Sequence, residues 1–170
     1  MKKIKLVFSI LLVISVVVCN ASNSKEAAMA FNSGKAKFEK NDYKGAIKDL
    51  TIAIGYDATD ANAFFFRGRA YFQLGKNTEA ISDFTVAIAL NPKNAIYYYE
   101  KALAFADQED FKFAYREMNK AIELDNNNAN YYFIRGTIEM EIEYTTDAHD
   151  DFEKAATLGH AEASKMISAR

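Results

Sequence analysis

Very little in this 170-residue chain staples or interrupts a backbone: it has one cysteine, one proline, seven glycines and no tryptophan. One cysteine cannot close an internal disulfide, so the fold must hold by packing. Proline's missing N–H and fixed φ break helices, so a single proline favours a helical chain with few forced stops. Neither charge sign dominates, with 21 basic against 23 acidic residues. That balance excludes a binder of phosphate backbones, which needs a basic excess to displace counterions. A hydrophobic share of 50% excludes a disordered chain, and the length suits one domain with a sizeable core. What is abundant is aromatic: 13 Phe and 10 Tyr.

The composition shifts at the N-terminus. Met1-Lys2-Lys3-Ile4-Lys5 is basic, and Leu6 to Cys19 is a fourteen-residue run without a charge. This is the pattern of a signal peptide, and it is too short for a membrane-spanning helix, which needs ~20 apolar residues. Residues 1–21 read as the signal peptide and 22–26 as a linker. Two fates stay open. Cys19-Asn20-Ala21 suits cleavage after Ala21, whereas Cys19, the only cysteine, stands where a lipoprotein carries its lipidated first residue, although Val18 precedes it in place of the usual small residue. Both fates export the domain to the periplasm or cell envelope, with membrane contact only through a lipid anchor or an uncleaved signal. Removing Lys2, Lys3 and Lys5 leaves 18 basic against 23 acidic residues. The remaining chain has no electrostatic case for nucleic acid or anionic lipid.

The rest of the chain repeats every thirty-four residues, in units 27–60, 61–94, 95–128 and 129–162. Position eight is Gly34, Gly68, Ala102 and Gly136; position twenty is Ala46, Ala80, Ala114 and Ala148; position twenty-seven is Ala53, Ala87, Ala121 and Ala155. Position twenty-four is always large: Leu50, Phe84, Met118 and Phe152. Small residues at these spacings let two antiparallel helices, A and B, approach closely while the large residue fills the space beside them. Turn signals within units are Lys40-Asn41-Asp42, Leu74-Gly75-Lys76 and Gln108-Glu109-Asp110. Between units they are Asp57-Ala58-Thr59-Asp60, Asn91-Pro92-Lys93-Asn94 and Asp125-Asn126-Asn127-Asn128. The tail, with a helix over 163–170, reads as a cap for the exposed end of the stack.

With Phe64, Gly68, Tyr71, Gly75, Ala80, Phe84, Ala87 and Pro92 in the second unit, and the same spacing in the others, the chain resembles the tetratricopeptide repeat (TPR) family over 27–162. Departures are Lys37 and Glu139, where the family prefers an aromatic, and Ala58, Asn126 and His160 in place of its proline. The resemblance implies an all-α, right-handed solenoid of four helix-turn-helix repeats with a concave face built mainly from A helices. It also implies binding of peptide or protein partners.

Position seven, with Arg67, Lys101 and Arg135, faces acids at position twenty-three: Asp49, Asp83, Glu117 and Asp151. Because the first repeat has Ser33 at seven, pairing across repeats is predicted: Asp49–Arg67, Asp83–Lys101 and Glu117–Arg135. Position five is aromatic throughout, Phe31, Phe65, Tyr99 and Phe133, and in the family it faces the groove. Position twelve adds Phe38, Phe72 and Met140, position nine adds Lys35 and Arg69, and position thirteen an acidic rim of Glu39, Asp107 and Glu141. The expected groove is aromatic along its floor and basic in its N-terminal half, suited to an apolar segment of a protein partner. Burial of the same rings between A helices is the alternative.

The family's clamp for acidic chaperone tails has no counterpart here. Its places hold Phe31, Lys35, Phe66, Ile96 and Glu100, or one repeat later Phe65, Arg69, Glu100, Asn130 and Ile134. No metal-ligand spacing, phosphate loop or nucleophile motif is present, so no cofactor, metal site or catalysis is expected. The reading is an exported adaptor or scaffold. The alternative is a structural envelope subunit anchored through Cys19.

Overall fold

The computed structural model describes residues 23–142 and 145–168, so the proposed leader and Cys19 lie outside the described residues. Among the described residues there are helices and no strand. Helix α1 covers 23–39. It is followed by α2 (Tyr43–Tyr56), α3 (Ala61–Gln73), α4 (Asn77–Leu90), α5 (Ala95–Asp107), α6 (Phe111–Leu124), α7 (Ala129–Glu141), α8 (Thr145–Thr157) and α9 (Ala161–Ser168). From α2 onward each helix packs on the next along the chain, and the main contact that skips a helix joins α3 to α5, two A helices. The chain is an all-α stack of consecutive helix-turn-helix units with α9 docked on α8. Residues 23–26, expected as linker, are helical, and the cap begins at Ala161, two residues earlier than the repeat spacing predicts.

The close approach expected at position eight is present. A Cβ on Gly34 would stand 2.7 Å from Leu50 Cγ, one on Gly68 2.9 Å from Phe84 Cε1, and one on Gly136 3.0 Å from Phe152 Cε1. The third repeat carries Ala102 at this place, and there the facing residue is Met118, whose unbranched side chain adapts to irregular space. Both are fully buried. The identity of position eight is therefore coupled to that of position twenty-four.

The loops close by two different devices. Within repeats, helix A ends in a left-handed residue at position fifteen: Asn41 (φ 62°), Gly75 (φ 69°) and Glu109 (φ 60°). Around Glu109, its N–H bonds to the Ala106 carbonyl and the Asp110 N–H reaches back to the Phe105 carbonyl, the paired bonds of a Schellman cap. Between the first four A helices the loop is four residues long, a C-cap at its first residue and an N-cap at its last. Asp57, Asn91 and Asp125 donate their N–H to the preceding helix, and Asp60, Asn94 and Asn128 accept from Asn62, Ile96 and Asn130 with their side chains. The junction before α9 uses the first device instead. Gly159 (φ 95°) and the bond from His160 N–H to the Ala155 carbonyl make a Schellman turn, which shortens the loop and brings the cap forward.

The ion pairs of positions seven and twenty-three run within repeats and overturn the pairing predicted across them. Arg67 grips Asp83 with two bonds of 2.7 and 2.8 Å, Arg135 grips Asp151 at 2.6 and 2.7 Å, and Lys101 meets Glu117 at 3.2 Å. The reason is register. Positions seven and twenty-three each precede by one residue the pair that touches at eight and twenty-four, so the same close approach sets them together. Asp49 accepts from Ser33 Oγ at 2.5 Å and takes its charge partner from Lys37 at 2.7 Å. Lys37, a departure from the family's aromatic, thus supplies the base that position seven lacks, and these bonds hold the Asp49 carboxyl below its usual pKa. The spare nitrogen of each arginine does cross to the preceding repeat: Arg67 Nη1 reaches Thr51 Oγ1 at 3.1 Å, and Arg135 Nη1 reaches Asn119 Oδ1 at 2.6 Å.

Gly68→Ala is expected to destabilise the fold by about 1–3 kcal/mol in urea unfolding despite alanine's better helix propensity. Gly68→Ala with Phe84→Met, which copies the third repeat, should recover most of that loss. Glu109→Gly should raise stability by about 0.5–1 kcal/mol in the same assay, because a non-glycine side chain is strained at positive φ.

Candidate functional site

The four position-five rings do not form one bare row, because each meets a different neighbour. Phe65 is only 5% exposed, with Tyr97 4.7 Å away, Phe66 at 5.5 Å and Phe84 at 6.0 Å between ring centroids. It belongs to the core and not, as expected, to a groove floor. Tyr99 is half-buried, lies 5.0 Å from Tyr131, and accepts a bond from Asn130 Nδ2 at 2.8 Å. Phe133 stacks on His160 at 4.1 Å, and Phe31 meets Phe66 edge-on at 5.8 Å. The cause lies at position three of the following repeat. Tyr97 covers Phe65 and Tyr131 covers Tyr99, whereas Ala63 has no ring to lay against Phe31.

The position-twelve and position-nine side chains make the more open part of this face. Met140 is 51% exposed, and Phe38 and Phe72 are half-buried. Arg69 lies over the ring of Phe38 at 4.8 Å and bonds Glu100 at 3.0 Å. Lys35 sits 5.6 Å above Phe66 and 4.0 Å from Glu39. The expected basic half of the groove is therefore reduced: Arg69 is held by the buried Glu100, and Lys35 stands near the exposed Glu39. Glu100 is itself buried; desolvation pushes its carboxyl pKa up, and Arg69 pulls it partly back. Burial likewise raises the phenols of Tyr99 and Tyr131. At position thirteen Glu39, Asp107 and Glu141 are exposed, and Asp107 also accepts from Asn77 Nδ2 at 2.5 Å.

Position six was not among the expected groove residues, yet it joins the parts. Phe66 touches the rings of Phe31, Phe38 and Phe65, and Glu100 holds Arg69. The signal was available in the family clamp, which reads position six, but two residues as unlike as Phe and Glu hide the recurrence. Among the described residues no cluster of three His, Cys, Asp or Glu side chains could hold a metal, and no helix is long and apolar enough to cross a membrane. His149 pairs with Glu153 one turn along α8 at 3.3 Å.

A family model described as TPR repeat matches residues 68–109. No curated protein sequence matches the chain. Among solved structures it is similar to MamA, with a TM-score of 0.75 and 21% identity over 79% of this chain and 73% of that one. It is also similar to YrrB, described as a TPR protein with an unusual peptide-binding site: TM-score 0.74, 22% identity, 84% of this chain and 75% of that one. A third similar structure is the first TPR domain of Spaghetti (RPAP3) bound to the HSP90 peptide SRMEEVD, with a TM-score of 0.69 and 25% identity over 71% of this chain and 95% of that one. The repeat match, the consecutive helical hairpins and these likenesses agree that the fold of this chain is a tetratricopeptide-repeat solenoid.

Proposed function

We propose that this protein is an adaptor that seats a segment of a partner protein against its A helices. The observation that carries the reading is the mixed surface at positions nine and twelve: half-buried rings of Phe38 and Phe72 and an open Met140, beside an Arg69 held by Glu100 and a single partly exposed Lys35 near Glu39. Such a surface offers apolar anchoring and no free cationic clamp, which suits an apolar segment and disfavours a strongly acidic tail. The peptide bound to Spaghetti and the peptide-binding site described for YrrB support use of this fold for segment capture.

Export is part of the same proposal, supported by the basic start and the uncharged Leu6–Cys19 run. A second reading, a lipid-anchored structural subunit of an envelope assembly, is favoured by the single cysteine standing where that run ends. The mass of the N-terminal peptide from the natural host separates them. A free Ser22 is expected for cleavage after Ala21, and a diacylglyceryl Cys19 for the anchored form.

Segment capture is tested by panning a peptide library on the folded domain. Met140→Ser should weaken the selected peptides by roughly tenfold or more, as truncating an interface anchor does, with little change in melting temperature, whereas Phe72→Ser should weaken them and also lower the melting temperature, because its ring packs on the core. Phe65→Ala should chiefly lower the melting temperature, since its ring is core. Affinities indifferent to Met140 and Phe72 would remove the A-helix face as the binding surface.

A further inference from the structure

The second and third inter-repeat junctions are each filled by a tyrosine at position three. Tyr97 is buried against Phe65, clusters with Ala87, and donates its hydroxyl to Asn62 Oδ1 at 2.9 Å. Tyr131 lies against Tyr99 and clusters with Ala121. Each tyrosine thus rests on the preceding repeat's position five and clusters with its position twenty-seven.

The first junction has the same walls and no tyrosine. Position three there is Ala63. A cavity of about 200 Å³ opens between α1, the end of α2 and the following loop, lined by Ala27, Ala28, Phe31, Ala53, Asp57 and Asp60, with Ser24 and Asn32 at its edge. Phe31 and Ala53 stand at the positions of Phe65 and Ala87, and Asp60 at the position of Asn94. A cavity of roughly 150 Å³ accommodates a benzene ring, so this one has room for a phenol. Asp60 spends one carboxylate oxygen on the Asn62 N–H at 2.9 Å. A carboxylate has further lone pairs for a second donor.

We propose that this cavity receives one tyrosine side chain from the partner segment, its ring against Phe31 and Ala53 and its hydroxyl donating to Asp60. The chain's own tyrosines supply the template, since the same positions hold one in each of the next two junctions. The proposal rests on the adaptor reading for its source of tyrosine, but the cavity can be probed without a partner. It also commits to a neutral, hydroxyl-bearing ring over a lysine side chain, because the floor is aromatic and aliphatic.

The test is an amide NMR titration of the purified protein with p-cresol, the tyrosine side-chain analogue. Saturable shifts are expected at Ala27, Ala28, Phe31, Asn32 and Asp60, with a dissociation constant on the order of 1 mM for a ligand of this size. Toluene, which lacks the hydroxyl, should bind about fivefold more weakly. Ala63→Tyr should abolish the shifts by filling the junction from inside. Ala28→Phe, an exposed substitution at the rim, should abolish them without entering the core. Absence of shifts in the wild type, undiminished binding in Ala28→Phe, or tighter binding of n-butylamine than of p-cresol would each overturn the proposal. Loss of peptide capture in Met140→Ser and Phe72→Ser with p-cresol binding intact would support both readings. Failure of p-cresol alone would leave the adaptor reading standing.

Discussion

Gly34, Gly68 and Gly136 have no room for a larger side chain, because Leu50, Phe84 and Phe152 stand 2.7, 2.9 and 3.0 Å from where a Cβ would go, inside van der Waals contact. That approach fixes how the two helices of each repeat slide and rotate against one another. The ion pairs inherit their partners from it: once eight meets twenty-four, seven must meet twenty-three, and Arg67 finds Asp83 and not an acid of the next repeat. Partly buried pairs of this kind are costly to break on one side, about 3–5 kcal/mol, so they hold register more than they add net stability. The arginines' remaining donors then stitch the second hairpin to the first through Thr51 and the fourth to the third through Asn119.

Much of this was legible in the sequence. The thirty-four-residue spacing of small residues led to the hairpins, and the Asx residues and Gly75 marked the loops, because their side chains or conformational freedom perform the capping themselves. Two things were harder to read. The ion-pair direction was misjudged because Ser33 at position seven suggested a missing partner, when Lys37 one turn later supplies it. The early start of α9 was hidden in Leu158-Gly159-His160, which copies the within-repeat turn Leu74-Gly75-Lys76 in place of the four-residue loop.

The candidate site was less legible for a related reason. A ring at position five looks the same in every repeat, but its cover comes from position three of the next repeat, where Ala63, Tyr97 and Tyr131 differ. Phe65 is therefore core while Phe31 borders a cavity. Charge at position nine has the same character: Arg69 appears free in its own repeat and is quenched by Glu100 of the next. In a stack whose elements touch mainly their neighbours, function at any surface position is decided one repeat away, and single-repeat patterns cannot report it.

The dependence of each repeat on its neighbour's cover can be measured without any ligand. Native-state hydrogen exchange, read helix by helix, reports the local opening free energy of each unit. The under-filled first junction predicts that amides of α1 and α2 exchange through openings of lower free energy than those of α3 to α6, whose junctions are closed by Tyr97 and Tyr131. Equal protection of α2 and α4 would contradict the account.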